Sequence, residues 1–114
     1  MAAIDLSYLD SIAGGDKDFI KEILELFTKS TLPEIQVLED LSSNSDWDKI
    51  VIVAHKIKAP VQILGQTETY NLIVTLEENA KHKVHLDQIA GLIANIKTQV
   101  YEINAEAVKM ASSL

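Results

Sequence analysis

The apolar residues of the last thirty positions constrain this chain most. Leu86, Ile89, Ile93, Ile96, Val100, Ile103, Ala107 and Met110 follow one another at steps that alternate between three and four. An α-helix turns once in 3.6 residues, so this spacing gathers all eight side chains into one stripe. A helix with a single apolar stripe has to bury it against other helices, as in a bundle. The same period recurs upstream, in Phe19, Ile20, Ile23, Leu24 and Phe27, and in Leu72, Ile73, Leu76 and Ala80. No stretch shows the two-residue alternation of a half-buried strand, and β-branched Val51-Ile52-Val53 lies inside a longer helical pattern. The expected fold is all-α: an up-down four-helix bundle with a short extra N-terminal helix, in one domain over residues 1–114.

Breaks fall where a bundle needs turns. Gly14-Gly15 ends a first segment, Asp5 to Ala13, and Asp16 reads as the N-cap of the next helix. Pro33 lies within the continuing pattern Ile35, Leu38, Leu41, which predicts one long helix with a kink or brief break near Thr31-Leu32-Pro33. Ser42-Ser43-Asn44-Ser45 reads as a turn. Asp46 opens a helix that runs to about Leu64 and stops at Gly65, and Thr67 is expected to cap the helix after it. Lys81-His82-Lys83 sets positive charge at that helix's C-terminal end, where the dipole favours it.

Composition narrows the partners. The chain has no cysteine, which excludes disulfides and thiolate zinc sites. It carries 17 acids against 10 bases, every base a lysine, with net charge −7. Nucleic acid is not an expected partner, since binding it calls for a basic stripe. The excess is uneven. Residues 1–50 hold 11 acids and 4 lysines, whereas residues 51–85 hold 3 acids and 4 lysines and repel an acidic partner least. No apolar run reaches the roughly 18 residues of a membrane span, and Met1-Ala2-Ala3-Ile4-Asp5 lacks the features of a signal peptide. A cytoplasmic monomer without membrane contact is expected.

The helix after Asp46 holds the chemistry. At 100° per residue, Ile50, Val53, Ala54, Ile57, Val61 and Leu64 cluster on one side, while His55 points away with Val51, Ala59 and Gln62. Lys58 lies one turn beyond His55 on the same face. Val51 and Ile52 would then be apolar and exposed, as on a docking surface. A lone outward histidine is ordinarily only a surface residue; the surrounding pattern gives this one more weight.

The run His55-Lys56-Ile57-Lys58-Ala59-Pro60-Val61-Gln62-Ile63-Leu64-Gly65 resembles the motif of histidine phosphotransfer (HPt) domains, His-x-x-Lys-Gly-Ser-Ser-x-x-Leu-Gly. Asp16 to Ile20 with Leu26-Phe27, Asp46-Trp47 and Leu76-Glu77 resemble further parts of that family in order and spacing. The resemblance implies that His55 accepts the phosphoryl group, that Lys58 neutralises it and that Glu77 holds the histidine ring from the adjacent helix. It places Val51, Ile52, Ala59 and Gln62 on the face that meets response-regulator receiver domains. Ala59 stands where the family usually has glycine and Pro60 where it has serine. Pro60 donates no hydrogen bond to the Lys56 carbonyl, so a kink is expected just after the site.

Physical chemistry agrees with such a role. Imidazole is neutral and nucleophilic near neutral pH, and phosphoryl transfer asks mainly for positioning and charge stabilisation. Lys56 could add charge at longer range. There is no phosphate-cradling glycine loop and no acidic metal cluster, so no ATP-dependent kinase activity and no cofactor of the chain's own is expected; magnesium would come with the receiver. The chain could stand alone or belong to a hybrid sensor kinase. The alternative is a non-catalytic helical interaction module using the same face. Glu78, His82 and His85 have spacings that zinc could use, but they straddle a helix end beside Lys81 and Lys83, and a solvated turn is expected there.

Overall fold

The computed structural model describes residues 4–114; Met1 to Ala3 of the N-terminal stretch read above lie outside the described residues. The described residues are helical, with no strand among them. In chain order they form α1 (Ser7–Ala13), α2 (Lys17–Leu26), a π-helical turn (Phe27–Thr31), α3 (Leu32–Ser43), α4 (Trp47–Ile63), α5 (Thr67–His82), a 3-10 turn (Leu86–Gln88) and α6 (Ile89–Ser113). The molecule is elongated, 43 × 22 × 21 Å.

Capping explains the starts. Asp16 Oδ1 accepts from the N–H groups of Asp18 (3.0 Å) and Phe19 (3.2 Å), and Asp46 Oδ1 accepts from Lys49 (3.4 Å). Two starts differ from expectation. Asp5 precedes α1, its carboxylate accepting from the Ser7 N–H at 2.9 Å. Gln66, not Thr67, is the N-cap of α5, and no side chain caps that end. The expected turn at Ser42–Ser45 is shorter, because α3 runs on to Ser43 and only Asn44 and Ser45 turn the chain.

The predicted break before Pro33 is a π turn. Pro33 has no N–H to offer the Lys29 carbonyl, and just ahead of it the ladder widens to five residues, with the Leu32 N–H donating to the Phe27 carbonyl. α2, the π turn and α3 thereby form one continuous rod. Thr28 Oγ1, in the π turn, bonds Asn104 Oδ1 of α6 at 2.6 Å. α4 continues helical through Pro60 to Ile63, with Leu64 as its C-cap, close to the expected end at about Leu64.

One apolar core joins the helices. α4 packs against α5 and α3, α5 against α6, and α6 against α2 and α3, with α1 on α2. Leu9, Leu24, Ile35, Leu38, Ile50, Ile57, Ile73, Leu76, Ile96 and Val100 are buried in it. Leu72 and Met110, read as stripe residues, are half-buried at its edge. Gly65 shows why the α4–α5 turn holds a glycine. Its φ is +71°, and a Cβ there would sit 2.5 Å from the Asp5 Cβ, where the N-terminal segment crosses and the Asp5 N–H donates to the Leu64 carbonyl.

Candidate functional site at the α4–α5 hairpin

The site follows from a short connection. Leu64, Gly65 and Gln66 link α4 to α5, and so short a link lays the two helices antiparallel side by side. Residues equally far from the turn then stand at the same height. His55 lies ten residues before Gly65 and Glu77 eleven after Gln66. Asp48 and Lys83, each seventeen from the turn, also meet, at 2.9 Å.

Ile50, Ala54, Ile57 and Val61 bury one face of α4, which leaves His55 outward with its side chain 73% exposed. The Glu77 side chain, 11% exposed, sits in the groove between the helices. Its Oε2 lies 3.0 Å from His55 Nδ1 and its Oε1 2.6 Å from Lys58 Nζ. The carboxylate therefore spans both residues of the neighbouring helix. Lys58 reaches it with a side chain 22% exposed.

Protonation states follow from this geometry. Burial works to raise the Glu77 pKa, but the bonds from Lys58 and His55 outweigh it and hold the carboxyl below its ordinary 4.5. The Lys58 ammonium is held above its ordinary 10.5, chiefly by its bond to Glu77. At neutral pH Glu77 is thus an anion that can only accept, so the proton on the 3.0 Å contact belongs to Nδ1. In neutral His55 the lone pair is then on Nε2, and the nitrogen left for chemistry is the nucleophilic one.

The structure sorts the other residues of the face. Ile52 is 65% exposed, and Ala59 and Gln62 are exposed as expected. Val51 is not: it is half-buried and packs against the core. The Lys56 ammonium pairs with Glu34 of α3 at 2.9 Å. Sequence reading passed over Glu34, although the hairpin rule finds it: Glu34 and Lys56 are each eleven residues from Ser45, in the α3–α4 turn. Pro60 is half-buried and lines a small apolar cleft with Leu26, Phe27, Thr31 and Ile63, so the proline faces the π turn.

The second histidine region is built differently. His82 Nε2 lies 3.1 Å from Glu78 Oε2, a pair within one exposed helical turn. His85 is in the loop beyond, at φ +51°. Glu78, His82 and His85 do not converge, and among the described residues no three such side chains gather as metal ligands. Among those residues, too, no helix is long and apolar enough to cross a membrane. Comparison with family models, curated proteins and solved structures gives no match to this chain.

Proposed function

We propose that this chain is a histidine phosphotransfer domain, an up-down four-helix bundle with a short N-terminal helix, whose His55 relays a phosphoryl group between receiver domains. The observation that carries the reading is the His55 Nδ1–Glu77 contact at 3.0 Å on an otherwise exposed ring. It prepares Nε2 as the nucleophile and fixes its direction, which is most of what phosphoryl transfer asks of a protein.

The step balances simply. Nε2 attacks the phosphorus of an aspartyl phosphate, the N–P bond forms as the acyl P–O bond breaks, and the aspartate leaves as carboxylate. The ring gains positive charge with its proton still on Nδ1, facing the Glu77 anion. Transfer to a second receiver is the same step reversed. Magnesium, where transfer needs it, belongs to the receiver. Ile52, Ala59 and Gln62 form the exposed part of the docking face, with Val51 beneath its edge. The domain acts in the cytoplasm as a monomer and is no kinase itself.

The test is phosphoryl uptake. Incubated with a phosphorylated receiver, or with phosphoramidate as a small donor, the chain should gain one label that acid removes and base does not. His55→Gln should lose the label and keep its helical spectrum. A folded wild-type chain that takes no label from either donor would be a non-catalytic interaction module.

A further inference from the structure

Lys58 stands where the motif's lysine is expected to meet the phosphoryl group, yet its ammonium is already engaged. It lies 2.6 Å from Glu77 Oε1, in the groove, with little of its side chain exposed. The carboxylate it holds is the one behind the His55 ring. That carboxylate presents a difficulty for the proposed reaction. It favours the Nε2 nucleophile, but an anion next to the ring repels the incoming phosphoryl group, which itself bears close to two negative charges. A cation fixed on the far oxygen removes the repulsion while the near oxygen keeps its bond to Nδ1.

Resting on the phosphotransfer reading, we infer that Lys58 is a positioning residue that acts through Glu77, neutralising and orienting the carboxylate behind His55, and is not the direct ligand of the phosphoryl group. Other charged groups around the pair do not take over this role. Lys56 is held by Glu34, Lys83 by Asp48, and Glu78 by His82. Tyr70 and Glu78 of α5 act on Lys58 only through space, and in the same direction as Glu77.

A double-mutant cycle separates the two roles. With phosphoramidate as donor, Lys58→Ala should slow labelling of His55 about tenfold in the native background, the scale of one charge-assisted contact. In the Glu77→Gln background, where no anion needs a counter-charge, the same change should cost less than about twofold. Equal factors in both backgrounds would show that Lys58 meets the phosphoryl group directly and would overturn the inference. A second measurement needs no transfer. The ¹⁵N shifts of the His55 ring, read above pH 8, should move on Lys58→Ala only when residue 77 is glutamate. An equal movement in both backgrounds would also overturn the inference. Should the wild type take no label, the phosphotransfer reading fails, and the ring shifts alone decide whether Lys58 works through Glu77. Both substitutions leave the apolar core untouched, and the helical spectrum of each variant checks folding.

Discussion

The chain holds two histidine–glutamate pairs of nearly equal length, and they differ in what sustains them. His82 meets Glu78 four residues away on the same exposed turn of α5, 3.1 Å apart. His55 meets Glu77 across two helices, 3.0 Å apart, with the carboxylate buried and Lys58 on its other oxygen. The first pair needs only a helix and is worth a few tenths of a kcal/mol in water. The second exists only when α4 and α5 are packed in register. Its carboxylate is shielded from most of the solvent, and the bonds from Lys58 and His55 hold it below the ordinary 4.5. A histidine acquires directed chemistry when its partner comes from another element and is itself held.

Substitutions that fail to separate the two regions would break this contrast. The largest effect concerns labelling: His55→Gln should reduce phosphoryl uptake to background, whereas His82→Gln with His85→Gln should leave it unchanged. Next is stability. Glu77→Gln removes the anion that Lys58 is buried against and should cost about 1–2 kcal/mol at pH 7, read from chemical denaturation. Glu78→Gln should stay within about 0.5 kcal/mol. The sign with pH follows from the depressed Glu77 carboxyl. Its contribution is complete above the ordinary 4.5 and is lost as pH falls through the lower folded-state value, so the wild type and Glu77→Gln should converge in acid. A difference that persisted undiminished in acid would mean that the pair does not carry it.

Two smaller effects sharpen the comparison at its margin. Ile52→Asp should weaken receiver binding about tenfold while changing stability by less than about 0.5 kcal/mol, since the side chain is mostly exposed. Pro60→Ser restores an N–H for the Lys56 carbonyl and should stabilise α4 by about 1 kcal/mol or less, because the proline's contacts in the cleft are given up in exchange. Labelling should be preserved or faster in Pro60→Ser. Slower labelling would show that the proline shapes the site.

The helices were legible because burial writes a 3.6-residue period into the sequence, and the α6 stripe from Ile89 to Ala107 is buried as read. Asp16 was legible as a cap, and Asp46 as the start of a helix, for an equally local reason. His55, Lys58 and Glu77 could be named from spacing and from the resemblance they carry. What spacing could not give was the partner of each charge. A wheel assigns a face to Lys58 and Lys56 but does not say that one turns into the groove toward Glu77 and the other across to Glu34. Those choices depend on the height at which neighbouring helices meet, which the turn positions set. Val51 was misplaced because a wheel knows only its own helix: α4 is covered from two sides, by α3 and α5, and the buried arc is wider than one stripe. The π turn was beyond reach as well. Pro33 announces a fault in the ladder, but not whether the chain bends, breaks or widens there.

The central claim is that Glu77 leaves Nε2 of His55 as the phosphoryl acceptor. Phosphorylated from phosphoramidate with uniform ¹⁵N labelling, the protein can be read by ³¹P–¹⁵N correlation at alkaline pH, where the N–P bond persists. The account predicts a single phosphorus bonded to Nε2 of His55, with the proton of that ring on Nδ1. A phosphorus on Nδ1 of His55, or one on His82 or His85 with His55 unmodified, would contradict it.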